Sequence, residues 1–471
     1  MTDGSTQTEE LIDRLRTLLG SADDEALRAF FAELHVADIA DCLEQIEAEE
    51  RSRIIFLLPP RTTAEAIVLL EEAVRSDVLD DFNEEQVSEV LKELPADDAV
   101  DVLDELDDEV ADKVIERLPP EQKAVVEPLR QYDEDTAGGL MNPDYISVPA
   151  EGSVIDAVQE IQRLTDEETE EVYYIYCVDA DGRLKGVVPP MRLIIAGPDV
   201  SVKDLLLPDL FTVRAEDDQE AVKNMFEKYD LASLPVVDED DRMLGVITHD
   251  DVLEVAEEEA DEDMYHMAGT DAEEFATASI FHAAGIRARW LLPCLAGTFA
   301  AVVAILFFKP QFHKDIFNIV VVFLTPIAAM GGNAGVQIST VIVRAQATDD
   351  ALAHSLGTAV ARELRIVLLL AVGAGLFAGL GTLAVLHSGI LPSEHGVASV
   401  GADIQLGRIA TAVGSSMSIA ILFSGLLAMT LPFLFRRLGI DPAIATGPLI
   451  TTTNDIMSAC IYLLIAIALV G

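Results

Sequence analysis

The chain holds 471 residues, is half hydrophobic and carries a formal net charge of −52. The charge is unevenly divided: residues 1–283 contain 75 acidic and 21 basic side chains, a net of −54, whereas residues 284–471 contain 8 and 10, a net of +2. An acidic water-soluble half joined to a nearly neutral apolar half argues against a purely soluble enzyme, and it argues against nucleic acid as a partner, because phosphate binding needs local positive charge.

Cations are the natural ligands of such a surface, although salt adaptation, in which carboxylates only hold water, explains the total charge equally well. Cys42, Cys177, Cys294 and Cys460 fall in separate segments without CxxC or CxH spacing, so neither a zinc site nor a disulfide framework is indicated. The opening MTDGSTQTEELIDRL lacks a basic n-region and an apolar h-region, which predicts no cleaved signal peptide and an acidic half that stays in the cytoplasm.

Residues 9–131 alternate helix-period patterns with Leu58-Pro59, Leu94-Pro95 and Leu118-Pro119, predicting an all-α module of stacked short hairpins, an architecture suited to docking. From Met141 the pattern becomes strand, helix, strand, strand, helix, and it does so twice. CVDADGRLKGVV (177–188) matches VVDEDDRMLGVI (236–247) at an offset of 59, and MNPDYISV (141–148) matches LLPDLFTV (206–213) at 65. Asp-rich turns separate paired apolar β runs in each copy, a pattern that resembles a tandem pair of CBS domains.

Five apolar runs of membrane-spanning length follow, at 290–308, 316–343, 366–386, 409–435 and 442–470. Arg287, Arg289, Arg344, Arg362, Arg365, Arg436 and Arg437 flank them on the inner side, against Lys309, Lys314 and Arg408 outside. This distribution obeys the positive-inside rule with the acidic half cytoplasmic and leaves the C-terminus outside.

Asp455, in TTTNDIMSACIYLL, is the one charged residue within the five runs. A carboxylate at mid-bilayer costs roughly 2.5–3.5 kcal/mol and ordinarily faces a bundle interior or an aqueous cavity; Thr451, Thr452, Thr453 and Asn454 around it favour a wet cavity over a protonated Asp buried between helices. In PIAAMGGNAGVQIST (326–340), Pro326 and Gly331, Gly332 and Gly335 weaken the helix near Asn333 and Gln337. Two readings stand side by side: freed carbonyls lining an ion path, or close packing through the Gly331-x-x-x-Gly335 motif. Carboxylate, amide and carbonyl oxygens without His or thiolate suit Mg²⁺ or Ca²⁺, and a single carboxylate per chain suits an ion that keeps its water, as Mg²⁺ does.

Ten of the 21 residues from Glu254 to Glu274 are acidic and none is Lys or Arg. On a helix, Asp251, Glu254, Glu258 and Glu262 fall within about 80° of one another. Asp97 and Asp101 stand one turn apart in PADDAVDVLDELDDE. If the two faces meet, their contact is unfavourable until dications enter, which defines a switch. The second repeat also carries Gly245-x-x-Thr248-x-x-Asp251, a pattern that commonly contacts a nucleotide ribose in CBS domains; the first repeat departs from it at Pro189 and Arg192.

Taken together, YDEDTAGGLMNPDYISV, DRMLGVITHDDVLEV, PIAAMGGNAGVQIST, LPFLFRRLGIDPA and TTTNDIMSACIYLL resemble the MgtE family of magnesium channels over essentially the whole chain. The resemblance implies a multidomain fold: an all-α helical-repeat N domain (1–135), an α/β tandem CBS pair (136–200 and 201–256), a connecting plug helix (257–283) and a transmembrane domain of five helices (284–471). It implies a homodimer in the cell (inner) membrane with the pore on the dimer axis, Asp455 as the principal carboxylate for hydrated Mg²⁺ and Asn333 near it. By matching position, the regulatory Mg²⁺ ligands would be Asp97, Asp101, Glu220, Asp230, Asp251, Glu254, Glu259, Glu262 and Asp263, and ATP or another adenine nucleotide would bind at the CBS pair, with Thr248 and Asp251 as contacts. Two departures stand out. Gly447-Pro448 replaces the Asn-Pro of relatives, leaving the Gly447 carbonyl as the pore oxygen there, and Glu254 replaces an Asp.

The function expected is thus a Mg²⁺ channel closed by cytosolic Mg²⁺. The alternative is a proton- or sodium-coupled secondary transporter of divalent cations, since a membrane Asp serves either; a membrane-anchored nucleotide sensor would leave Asp455 unexplained. No HExxH, P-loop GxxxxGK[ST] or GxSxG occurs, so no enzyme is expected.

Overall fold

The computed structural model describes residues 4–21, 23–164, 172–271, 274, 280–347, 353–388 and 402–470. The chain forms two compact units, Met1–Glu259 and Ala260–Gly471.

The first unit opens with ten helices, from α1 (Gly4–Ser21) to α10 (Pro120–Leu129). The Leu-Pro pairs mark helix starts: Pro59, Pro95 and Pro119 are the N-cap residues of α5 (Pro60–Val68), α8 (Ala96–Asp104) and α10. Proline's fixed φ and missing N–H cost nothing there, because the first-turn donors have no helical partner. Leu27, Leu43, Ile54, Ile67, Leu91 and Leu103, each from a different helix, are fully buried in one continuous core.

Two small α/β modules follow. The first contains β1 (Ser147–Pro149), α11 (Val154–Leu164), β2 (Ile175–Val178), β3 (Leu184–Val188) and α12 (Pro190–Ile195); the second contains β4 (Val213–Arg214), α13 (Gln219–Tyr229), β5 (Ser233–Val237), β6 (Met243–Thr248) and α14 (His249–Ala268). In both, the first strand is parallel to the second and the second antiparallel to the third.

The repeat seen in the sequence extends to irregularities. A register shift falls at Cys177/Val178 in one module and at Val236/Val237 in the other, and the matching turn residues Gly182 and Asp241 both have positive φ, of 80° and 62°. Arg183 and Arg242, equivalent in the repeat, pair with each other. Leu184 N–H donates to Asp241 O, and Met243 N–H to Gly182 O, at 2.9 and 3.2 Å. The two modules therefore meet about a local pseudo-two-fold, sealed by Tyr176, Leu184, Val187, Val237, Met243 and Val246. Val213, Val222, Phe226, Leu234 and Ile247 of the second module share the core of the helical repeats, which seats α8 beside the start of α14.

Among its described residues the second unit holds five helical segments long and apolar enough to cross a membrane. Its helices are α15 (Ile280–Phe308), α16 (Lys314–Val322), α17 (Leu324–Ala347), α18 (Ala353–His387), α19 (Ala402–Leu438) and α20 (Pro448–Val470), with α16 and α17 forming one span divided at Phe323. Helix α19 packs against α17, α18 and α20, while α15 packs against α20. Small residues permit the close approaches: a Cβ on Gly375 would come within 2.7 Å of Gly414 O, and Ser418 Oγ donates to Ala371 O across the same contact at 2.8 Å. Phe299, Phe307, Leu369 and Phe377 face outward, as side chains bathed in lipid do.

Candidate ion path and acidic cluster

Asp455 lies in the second turn of α20 and is half-buried, and among the described residues no donor is bonded to its carboxylate. Its neighbours are less wet than their polarity suggests. Thr451 Oγ1 donates to Gly447 O and Pro448 O at 3.1 and 3.0 Å, and Thr452 Oγ1 to Pro448 O at 2.7 Å, so both hydroxyls are spent on their own helix. Asn454 is fully buried, its Nδ2 donating to Ala328 O at 3.0 Å while its Oδ1 accepts from Ser458 Oγ at 3.2 Å.

The segment 326–340 is an unbroken part of α17, which favours the second of the two readings, close packing, over freed carbonyls. Pro326 occupies the first turn, where its missing N–H is harmless, and the glycines serve the packing reading. A Cβ on Gly331 would lie 2.6 Å from Asn454 Nδ2, and Ser424 Oγ donates to Gly331 O at 2.7 Å. Asn333 and Gln337 occupy the exposed side of α17. No hydrogen bond joins Asn333 to Asp455 among the described residues.

Gly447 has φ +56°, and a Cβ there would collide with Met267 O, so the close approach of the end of α14 requires glycine. The Gly447 carbonyl already accepts from Thr451 N and Oγ1, both at 3.1 Å. Nearby, His266 Nδ1 donates to Asp441 Oδ2 at 2.8 Å, with Glu262 at 3.7 Å and Asp271 at 3.9 Å. The bond to Asp441 raises the imidazole pKa above its usual value. Neither His266 nor Asp441 stood out in the sequence; a His four residues after Glu262 and an Asp before Pro442 were the available signals.

In the first unit, α8 brings Asp97 and Asp101 against the first turns of α14. Asp97 Oδ1 accepts from Asn142 Nδ2 at 3.1 Å, and Asp251 Oδ2 accepts from Thr248 N and Oγ1 at 2.8 and 3.0 Å, closing the helix start. Burial first, then Asp98 and Asp251, pushes the Asp97 carboxyl well above the carboxylate range. Burial first and Asp98 second push Asp101 up to about 7, with Glu254 adding repulsion. Burial raises Asp251 to about 6 despite its bonds to Thr248.

Of the other expected ligands, Glu259 Oε1 accepts from Gln219 Nε2 at 2.8 Å, beside Glu220 in the first turn of α13. Asp230 ends that helix with φ 52°. Glu262 and Asp263 belong to the last turns of α14. Among the described residues no three acidic, His or Cys side chains converge as a formed metal centre.

The sequence reading missed a second acidic zone. Burial, followed by Glu254, Asp135, Glu134 and Glu72, raises Glu258 to about 7. A cavity of about 470 Å³ beside it is lined by Asp104, Asp133, Glu134, Asp135, Glu216 and Asp218. The CBS modules enclose a separate space of about 230 Å³ lined by Tyr174, Val187, Phe211, Tyr229, Asp230 and Pro235. Thr248 and Asp251 do not line it: their polar atoms are bonded to each other, and Asp251 faces Asp97.

Comparison with known proteins follows the same divisions. Residues 34–135 match the MgtE intracellular N domain, residues 137–197 and 202–258 the CBS domain, and residues 324–465 a divalent cation transporter family, MgtE. The chain is 34% identical to the magnesium transporter MgtE of Thermus thermophilus over 97% of its own length and 98% of that protein. It is 31% identical to the magnesium transporter MgtE of Enterococcus faecalis over 99% and 98%. A solved structure of the cytosolic domain of the Mg²⁺ channel MgtE in complex with ATP covers 52% of this chain and 99% of that one, at 35% identity and a TM-score of 0.49. Sharing one full-length domain order with these relatives, the chain belongs to the MgtE family of magnesium transporters, not to an enzyme family.

Proposed function

We propose that the chain is a Mg²⁺ channel for magnesium uptake, working as a homodimer and closed by cytosolic Mg²⁺. The observation that carries this reading is Asp455: a carboxylate in an apolar span, half-buried and without a protein donor among the described residues. A membrane carboxylate is tolerated where water or a cation meets it. An ion that keeps its hydration shell needs few direct ligands, which suits Mg²⁺. Asn333, on the exposed side of α17, supplies an amide on the face open to a partner subunit, and the Gly447 carbonyl supplies an oxygen at the inner end of α20 once the Thr451 hydroxyl turns to its other acceptor, Pro448 O.

Closure rests on the acidic faces. Asp97 and Asp101 oppose Asp251 and Glu254 inside one compact unit, so the contact is electrostatically unfavourable until cations enter. Glu220, Asp230 and Glu259 add further carboxylates on α13 and α14, and Glu262 and Asp263 lie further along α14. The donor chemistry fits Mg²⁺, all hard oxygen, and outer-sphere water accommodates the spread of the carboxylates. The divisions 1–135, 136–200, 201–256, 257–283 and 284–471 then act as sensor, CBS pair, connector and pore, with the acidic half cytoplasmic and the C-terminus outside. An adenine nucleotide such as ATP would occupy the aromatic space between the CBS modules rather than Thr248 and Asp251.

Coupled transport is the competing reading. Uptake by reconstituted chain, measured with and without a proton or sodium gradient, separates the two: Mg²⁺ flux that follows its own gradient alone supports the channel, and flux that requires either co-ion gradient overturns it.

A further inference from the structure

Asn454 and Asp455 are adjacent but placed oppositely. One is fully buried with both ends of its amide bonded; the other is half-buried with no donor among the described residues. The span that packs on α20 makes two polar contacts with it. Asn454 donates to Ala328 O at 3.0 Å, and Tyr462 OH donates to Val320 O at 2.9 Å. The donors lie eight residues apart on α20, and the acceptors lie eight apart on α16–α17 in the opposite direction, so one antiparallel register satisfies both. Sliding or turning α20 breaks the pair together and strands buried polar groups.

The fit at Asn454 is tight. Gly331 has no Cβ, and one would stand 2.6 Å from Asn454 Nδ2 and 2.7 Å from Oδ1. The Gly331 carbonyl is held from the third side by Ser424 of α19 at 2.7 Å. A single polar side chain in an apolar interface specifies register at some expense of stability.

We infer that Asn454 is a positioning residue for ion selection: its buried amide fixes the rotation of α20 against α17, and with it the direction and standoff of the Asp455 carboxylate. This rests on the reading of Asp455 as the carboxylate the permeating ion meets. Turning a helix by about 20° carries a group at the side-chain radius of about 5–6 Å through about 2 Å. That displacement exceeds the range of about 0.5 Å over which a carboxylate hydrogen-bonds the water of a hydrated ion, and the difference of about 0.4 Å between Mg–O and Ca–O distances that sets how far out that water stands. Loss of the Asn454 anchor therefore acts on which ion is preferred, and at what concentration, before it acts on whether a path exists.

The test uses the full chain in proteoliposomes, comparing wild type, Asn454→Leu, the milder Asn454→Ser and Asp455→Ala, with Mg²⁺ uptake read alone and in competition with Ca²⁺. Asn454→Leu is expected to raise the half-saturating Mg²⁺ concentration at least about tenfold, the usual effect of removing a group that orients a ligand. It should also narrow the preference for Mg²⁺ over Ca²⁺ while leaving maximal flux nearly unchanged. If Asn454→Leu does not accumulate, Asn454→Ser is read by the same criteria. Half-saturation and preference equal to wild type in the accumulating variant overturn the inference alone, provided Asp455→Ala abolishes uptake. Wild-type uptake by Asp455→Ala overturns both the reading of Asp455 and the inference.

Discussion

Replacing Asp251 by Asn tests the acidic contact quantitatively. Burial holds the Asp251 carboxyl at about 6 against an ordinary value of 3.8, a difference that disfavours its ionised form by at most about 3 kcal/mol. The sign follows from linkage: a carboxyl whose folded value is raised contributes no penalty below about pH 4, an increasing one as pH rises, and the full penalty above about pH 6. Asn keeps an acceptor for Thr248 N and carries no charge. In metal-free full-length chain at pH 7.5, amides of α8 and the first turns of α14 should therefore exchange with deuterium up to about a hundredfold more slowly in Asp251→Asn. The gain should shrink towards pH 4, and it should vanish when millimolar Mg²⁺ supplies the wild type with counter-charge. Equal or faster exchange in the metal-free variant at pH 7.5 would contradict a burial penalty on the ionised Asp251 carboxylate at this contact.

Other consequences follow from the same geometry. With Asp101 and Glu258 both near 7, Mg²⁺ binding should displace more protons at pH 6.5 than at pH 8.5; calorimetry in buffers of different ionisation heat shows this as a buffer-dependent enthalpy that shrinks at the higher pH, and an equal dependence at both would contradict it. The His266–Asp441 pair raises the imidazole pKa, so its stabilisation is full below the unfolded value of about 6.5 and is lost as pH rises through the folded value. His266→Ala should consequently lower thermal stability more at pH 6 than at pH 8.5, and an equal loss at both would exclude an ionic contribution. Gly331→Ala forces a methyl against Asn454 and should cost about 1–3 kcal/mol, visible as a lower unfolding temperature in detergent; an unchanged temperature would contradict the packing.

Most of the architecture was legible because it rests on short-range patterns. The Leu-Pro pairs that punctuate the helical patterns lie at helix starts, at Pro59, Pro95 and Pro119, the 59-residue offset reappears as paired Arg183 and Arg242, and five apolar runs became five spans among the described residues. Long-range neighbours were harder to read. Asn454 looked like part of a wet turn because its sequence neighbours are polar, yet its partners Ala328 and Gly331 lie more than 120 residues away. The glycines of 326–340 fit a broken helix and a packed one equally until α19 and α20 were seen to fill the space their missing side chains leave. In the sequence Glu258 was only one of four carboxylates, with Asp251, Glu254 and Glu262, on a shared helix face. Its distinction comes from Glu134, Asp135 and Glu72, which only the folded chain brings near it.

The most direct test of the account is Mg²⁺ flux through reconstituted full-length chain, wild type beside Asp455→Ala, with cytosolic-side Mg²⁺ stepped from micromolar to tens of millimolar. Flux is expected to disappear in the variant and, in the wild type, to fall with rising cytosolic-side Mg²⁺ beyond the loss of driving force. Flux that survives the loss of Asp455 removes that residue from the path, and flux indifferent to cytosolic-side Mg²⁺ returns the acidic faces to the role of solvated surface.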